Sequence, residues 1–241
     1  MKNFTVYPRL FALLALSFVL ATIVGTVSHE LGHYAVSKCY GFSPKLHYAS
    51  VSFDGAPYKY EVFDSLYKAD ESKILAKKSS PEKEYFLHYR SELGKTIGIR
   101  DLIIRMSGPL QTMITGSLGV LWLWYYRKKI RTETELSVKQ WFGVLIAFFW
   151  SRQLAILLQK IVNYVMCRNS RGDEERIAYH LQVNQWILIT LWGIIGAAIL
   201  SWVVFYIIPK QQRFTFIMAG LAGSTLGFVV WMLWLGPALL P

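Results

Sequence analysis

The run His29-Glu30-Leu31-Gly32-His33 has residue types and a spacing that could carry metal-dependent chemistry. Two histidines four positions apart share one face of a helix, where both imidazoles can reach one Zn²⁺ ion at roughly 2.0–2.1 Å. Glu30 lies beside them and is placed to accept a proton from water activated by the metal. The motif therefore predicts that His29 and His33 bind zinc and that Glu30 is a general base.

The motif follows an uncharged run, Leu10 to Val27, which predicts a membrane-spanning helix that is retained as a signal anchor. Polar residues at a helix end could simply meet the water interface, but ionisable residues within a membrane are costly and usually mark a site. Gly32 leaves room beside the metal for another backbone or for a substrate. We expect this helix to continue to about Cys39 and to end at Gly41.

The composition is that of an integral, multi-pass membrane protein, because 54% of the residues are apolar and only 17% are charged. Long apolar runs predict four further spans, at about 102–126, 140–167, 181–209 and 214–241. The predicted fold is an all-α membrane protein of about five transmembrane helices, with a small extramembrane β-hairpin and a polar helical insert. Arg152 interrupts the third span, either as a partner in a buried polar cavity or as an interfacial residue of a tilted helix.

The net charge of +11 is interpreted as an effect of membrane topology and lipid headgroups, with no nucleic acid as partner. Basic residues gather on the side of the membrane that holds the N-terminus and the loop after the second span, which predicts a cytoplasmic N-terminus. The motif then faces the exterior or a lumen. The residues that decide this orientation are Lys2, Arg9, Arg127, Lys128, Lys129, Arg131, Lys139, Lys210 and Arg213.

The insert between the first two spans, at about 41–101, contains two stretches with the pattern of β-strands. Strands at 46–53 and 58–63 are predicted to flank a turn at Asp54-Gly55-Ala56-Pro57. The rest of the insert is polar and predicts one or two short helices, one of them capped by Ser80 with Pro81 at its first position.

A zinc hydrolase needs a third protein ligand, and Asp173 is the candidate, with Glu174 as its nearest rival. The predicted topology brings the ends of the first and third spans, and the Gly108-Pro109 start of the second, to one membrane face. The acidic run could instead form only a solvated first turn of the next helix. His180 is interpreted as a surface residue.

Two cysteines are also expected at that face of the membrane. Cys39 follows the first span and Cys167 ends the third. They could form a disulfide or remain two free thiols.

These residues resemble the site-2 protease family of intramembrane zinc metalloproteases. The resemblance rests on three segments, His29–His33 with the following Tyr34-Ala35-Val36 and Gly41, Ser107-Gly108-Pro109-Leu110, and Gly172-Asp173, and it covers about residues 10–180. It implies that His29, His33 and Asp173 bind Zn²⁺ and that Glu30 is the catalytic base. It also implies that the hairpin holds substrate as an added strand.

The expected function is hydrolysis of peptide bonds in membrane-associated protein or peptide substrates by metal-activated water. Residues 1–180 would form the metalloprotease core, and residues 181–241 would add two transmembrane helices. One alternative is a catalytically inactive pseudoprotease that binds membrane proteins. Another is a zinc transporter, which the last two predicted spans disfavour because they contain no His, Asp or Glu.

Overall fold

The computed structural model describes residues 5–54, 58–75, 79–168 and 172–241, and it is mostly helical with one two-stranded hairpin, as predicted. The elements are α1 Pro8–Cys39, β1 Ser43–His47, β2 Ser50–Asp54, α2 Tyr58–Ala69, α3 Glu71–Leu75, α4 Pro81–Ile130, α5 Val138–Ala147, α6 Ser151–Val165, α7 Asp173–His180, α8 Gln185–Trp202, α9 Lys210–Val230 and α10 Gly236–Leu239. A 3₁₀ turn at Phe148–Trp150 joins α5 to α6, and π-helical turns at Val203–Ile207 and Trp231–Leu235 extend α8 and α9.

Within the described part of the chain, four helical stretches are long and apolar enough to cross a membrane. They are Pro8–Cys39, Val138–Val165, Gln185–Ile207 and Lys210–Leu239. These stretches indicate a multi-pass membrane protein. The predicted second span, 102–126, lies inside α4 and is not one of the four, because small and polar residues interrupt its apolar run.

One end of the helical bundle joins the start of α1 to the start of α9. The backbone N–H of Tyr7 donates to Thr215 Oγ1 at 3.1 Å. At the same end, Arg131 directly after α4 donates to the hydroxyl of Tyr206 in the π-helical turn that extends α8, also at 3.1 Å. Helix α4 therefore ends where α1 begins.

The other end of the bundle, called the site end, contains His29, His33 and Asp173. Here His33 contacts Ile104 in the middle of α4 and Asp173 at the start of α7. The stretch of α4 from Ile104 to Ile130 thus runs back along α1 from the site end to the opposite end. The helices α5 and α6 then return the chain to the site end.

The local sequence accounts for where the helices begin and end. Helix α1 stops as predicted: Gly41 has a φ of +82°, a left-handed conformation that glycine adopts without steric cost. The predicted cap at Ser80 is confirmed, since its hydroxyl accepts from the Lys83 N–H at 3.2 Å, and Pro81 opens α4. Ser137 and Gln140 form a reciprocal capping box at the start of α5.

The β-hairpin exists, but the predicted strands were wrong. The strands are Ser43–His47 and Ser50–Asp54, joined by a turn at Tyr48 and Ala49, with Ser43 opposite Asp54 and His47 opposite Ser50. The stretch predicted as one strand, 46–53, therefore folds back on itself. The predicted second strand, 58–63, belongs to helix α2, and the predicted turn residues 55–57 lie outside the described ranges.

The hydrophobic core lies toward the end of the bundle opposite the site. Its residues come from α1, α4, α5, the end of α8 and α9. Phe18 and Phe216 of this core contact each other and the partly buried Phe148 through edge-on and tilted ring contacts. This packing holds α1 and α4 together below the site. Cys39 and Cys167 are both free and exposed, so the structure contains the thiols and not the disulfide.

Candidate metal centre

The structure brings together His29, His33 and Asp173, although Asp173 is 140 positions from His33 in the sequence. The Nε2 atoms of the two histidines are 3.3 Å apart. Asp173 Oδ2 lies 3.3 Å from His29 Nε2 and 3.1 Å from His33 Nε2. The three side chains could hold a metal ion.

The shape of this donor triangle fits a tetrahedral metal site. Three donors bound tetrahedrally at 2.0–2.1 Å would be about 3.3–3.4 Å apart. The observed edges of 3.1–3.3 Å are close to that spacing. Two imidazole nitrogens and a carboxylate oxygen are also ligands that Zn²⁺ accepts, and three protein ligands leave a fourth position for water or substrate.

The histidines are oriented by hydrogen bonds from their other ring nitrogens to α4. His33 Nδ1 donates to the Ile104 carbonyl at 2.6 Å, and His29 Nδ1 donates to Thr112 Oγ1 at 3.2 Å. A carbonyl can only accept, and the Thr112 hydroxyl donates to the Gly108 carbonyl, so both Nδ1 atoms carry the proton. Both Nε2 lone pairs therefore point at the centre of the triangle, as ligating histidines require.

Glycines make this close approach of α1 and α4 possible. A Cβ atom on Gly108 would overlap His33 Nε2 and would lie 2.7 Å from His29 Nε2. A Cβ atom on Gly32 would lie 2.8 Å from the Ser107 carbonyl oxygen. The space that Gly32 leaves is thus filled by the backbone of α4, one of the two uses expected for it.

Glu30 lies beside the triangle, is buried, and contributes to two cavities that meet at the site. Within the described residues, its carboxylate makes no hydrogen bond to another side chain. The first cavity, of about 530 Å³, is lined by charged side chains and by the hairpin residues Ala49, Ser50, Val51 and Phe53. The second, of about 450 Å³, is mostly apolar and lies between α1, α6 and α9.

Asp173 is held at the site by the docking of α7 on α4. His180 Nε2 donates to Asp101 at 2.7 Å, and Arg105 donates to the same carboxylate at 2.9 Å while its Nη1 lies 3.9 Å from Asp173 Oδ1. His180 is thus a docking residue outside the donor triangle.

Arg152 is a partner in a buried polar cluster, which decides between the two interpretations of this residue. Its Nη1 donates to Glu174 Oε1 at 2.7 Å, and Glu174 is buried with 2% of its surface exposed. Glu174, the rival third ligand, is therefore turned toward α6 and away from the histidines. The structure places Asp173 and not Glu174 beside both histidines.

Sequence reasoning missed several residues that shape the site. Thr112 and Arg105 were not singled out, and Gly108 was noted only as part of a helix start. Thr112 lies four positions after Gly108 and Arg105 lies four after Asp101, so all four belong to one stretch of α4. Their spacing of one helical turn from Gly108 or Asp101 could have indicated that they share a face of α4. The sequence does not indicate which face of α4 meets α1.

We expect the wild-type protein to retain a metal ion after purification in detergent, with Zn²⁺ as the expected ion, and we expect His33→Ala and Asp173→Ala each to lose most of it. Each change removes one of the three donor atoms. Loss of a residue that only hydrogen-bonds to a metal ligand typically lowers metal affinity 10–100-fold, so loss of a ligand itself should lower it by at least as much. Elemental analysis of the purified proteins measures the zinc content. Glu174→Gln is the matched control, and it should keep the metal. Zinc retained in Asp173→Ala and lost in Glu174→Gln would reassign the third ligand.

No known protein family, no curated protein and no solved structure matches this chain. The findings on the chain itself are therefore a possible metal site of His29, His33 and Asp173 at one end of a bundle with four candidate membrane spans.

Proposed function

We propose that the protein is an intramembrane zinc metalloprotease that hydrolyses peptide bonds of membrane-associated substrates. The observation that carries the proposal is the triangle of His29 Nε2, His33 Nε2 and Asp173 Oδ2, with the Glu30 carboxylate beside it in the same cleft. A metal site with a flanking, unpaired carboxylate is the arrangement that hydrolytic chemistry needs, whereas a purely structural zinc site has four protein ligands.

In this proposal His29, His33 and Asp173 hold Zn²⁺. The ion would supply Lewis-acid chemistry, which polarises the scissile carbonyl and lowers the pKa of water. Glu30 accepts the proton of the attacking water and returns it to the leaving amine. Thr112 and the Ile104 carbonyl keep the imidazoles in the tautomer that this requires.

The two cavities suit the two reactants that such a reaction must bring together, which are water and an apolar substrate segment. The charged cavity under the hairpin supplies water, and the apolar cavity between α1, α6 and α9 accommodates an apolar segment. They share Glu30 and His29, where the reaction takes place. Strand β2 lines the charged cavity and pairs only with β1 within the described residues, so its outer edge can bind an unwound substrate as an added strand.

The same proposal includes a fifth membrane span at 102–126. Helix α4 runs from the site end to the opposite end of the bundle, and the basic residues Arg127, Lys128 and Lys129 follow at its end. With the N-terminus cytoplasmic, these residues lie on the cytoplasmic side and the metal site lies toward the exterior or a lumen.

The zinc transporter is less well supported by the structure. Transport needs polar ligands along a path through the membrane, and the spans Gln185–Ile207 and Lys210–Leu239 contain no His, Asp or Glu. The pseudoprotease remains the alternative that an activity assay decides, because it predicts the same metal site without cleavage.

Removal of the metal tests the proposal directly. Wild-type protein in liposomes is incubated with a pool of synthetic single-span transmembrane peptides, and mass spectrometry identifies the products. We expect 1,10-phenanthroline to abolish cleavage and stoichiometric Zn²⁺ to restore it. Fe²⁺ is added in a parallel sample, since two histidines and a carboxylate also suit iron. Cleavage that survives complete metal removal, or none in the zinc-loaded protein, would contradict the proposal.

A further inference from the structure

Arg152 lies in α6 within a predicted membrane span, where a charged side chain is costly and marks a function more often than not. Its guanidinium is anchored at one end. Nη1 donates to Glu174 Oε1 at 2.7 Å, and that carboxylate is almost fully buried in the first turn of α7. The arginine itself is 29% exposed, since it faces both cavities. Its head is therefore held in one place but open to the cleft.

The free end of the guanidinium lies beside the donor triangle. Nη2 is 3.1 Å from His29 Nε2 and 3.9 Å from Asp173 Oδ2. Arginine can only donate, so the His29 Nε2 atom accepts this hydrogen bond with the same lone pair that a metal ion would use. The lone pair cannot serve both. When a metal ion takes it, Nη1 keeps its hydrogen bond to Glu174, and Nη2 has an N–H free to donate into the cleft.

Two other cations that line the charged cavity, Arg105 and Lys160, have their closest contacts away from the two histidines. Arg105 contacts Asp101 at 2.9 Å and approaches the other oxygen of Asp173, Oδ1. Lys160, two turns after Arg152 on α6, is paired with Glu175 at 2.8 Å and with Gln185 at 3.0 Å. Arg152, by contrast, places its Nη2 donor against His29 Nε2, a candidate metal-binding atom.

We propose that Arg152 stabilises the oxyanion that forms on the scissile carbonyl, and that Glu174 positions it. This inference rests on the proposed function. Water attacks the carbonyl carbon, the π electrons of the C=O bond move to its oxygen, and Glu30 takes the proton of the water. Arg152 Nη2 donates to the charged oxygen until the C–N bond breaks and the amine takes the proton from Glu30. A preorganised donor of this kind is typically worth about 10²–10³ in kcat.

The test compares Arg152→Gln and Arg152→Lys with Lys160→Gln as the matched control. Lys160→Gln removes a charge of the same sign and an ion pair between the same two helices, but away from the triangle. We expect Arg152→Gln to lower kcat about 100-fold with KM changed less than about threefold. Arg152→Lys should recover part of this loss because it keeps the charge. Lys160→Gln should stay within about threefold of the wild type.

Zinc affinity, measured by competition with a chromogenic chelator, is the readout that does not depend on activity. Loss of a positive charge and of the donor on His29 Nε2 should tighten zinc binding by Arg152→Gln on the order of tenfold. Lys160→Gln should bind zinc as the wild type does. Weaker or unchanged zinc binding by Arg152→Gln would overturn the inference.

The two proposals fail in different ways. If the wild type binds zinc and cleaves while Arg152→Gln keeps the wild-type kcat, the inference about Arg152 is wrong and the proposed function stands. If Arg152→Gln and Lys160→Gln lose kcat equally, Arg152 is only structural. If the wild type binds zinc but cleaves nothing, the proposed function fails, and the oxyanion role fails with it.

Discussion

The variant Glu30→Gln is expected to retain one zinc ion per protein and to cleave transmembrane peptides at least 10³-fold more slowly than the wild type. Glutamine has the shape of glutamate but cannot accept a proton from water, and general bases typically contribute 10²–10⁴-fold to a rate. The candidate metal ligands His29 and His33 lie on either side of residue 30 in sequence, but their Nε2 atoms and Asp173 Oδ2 are untouched. Product formation by mass spectrometry and zinc by elemental analysis measure the two effects.

A second glutamate variant provides the comparison for Glu30→Gln. Glu92 lies on α4 in the polar insert and is exposed, so Glu92→Gln removes one carboxylate from the same chain far along α4 from Gly108. It should cleave at the wild-type rate. If Glu30→Gln also cleaves at that rate, Glu30 is not the base and the hydrolytic mechanism is wrong. If Glu30→Gln loses its zinc, its loss of activity comes from the missing metal and says nothing about proton transfer by Glu30.

The variant Gly108→Ala is expected to lower zinc affinity by about 100-fold or more and to destabilise the contact between α1 and α4. The added Cβ would overlap His33 Nε2 and lie 2.7 Å from both Nε2 and Cε1 of His29. Either the imidazoles leave the triangle or the two helices move apart, and overpacking of this kind costs about 1–3 kcal/mol. Chelator competition measures the affinity, and thermal unfolding in detergent measures the stability.

Gly98→Ala is the matched control because Gly98 lies on the same helix and a Cβ there meets no atom within 4 Å. Alanine favours a helix over glycine by up to about 1 kcal/mol, so this variant should be as stable as the wild type or slightly more stable. Its zinc affinity should not change. Equal zinc affinity in Gly108→Ala and Gly98→Ala would show that the histidines do not bind metal in the observed arrangement.

Four of the five predicted spans and the His29–His33 motif could be predicted from the sequence because each depends on local properties. An apolar run such as Leu10–Val27 predicts a helix in a membrane wherever it occurs, and two histidines four apart share a face of any helix. The positions of the helix ends at Gly41 and Ser80 likewise follow from the conformations that glycine and serine favour.

The hairpin shows where local pattern is not enough. The alternating pattern of residues 46–53 predicts one strand, but the chain makes a turn at Tyr48 and Ala49. Tyr48 N–H donates to the Leu240 carbonyl at 3.0 Å, and the Trp231 indole donates to the Tyr48 carbonyl at 2.8 Å. These partners lie more than 180 positions away and satisfy the backbone of the turn, so no reading of residues 41–63 could include them.

The sequence by itself determined the class of protein, the helical scaffold and the pair of histidines with their neighbouring glutamate. Only the tertiary structure decided that Asp173 joins the histidines while Glu174 turns to Arg152, although the two acids are adjacent. The reason is physical, because adjacent acidic residues on a helix point in different directions. Which of them meets the two histidines depends on how α7 docks against α4 and α6. On the α4 side, that docking is made by His180 and Asp101, which no local pattern connects.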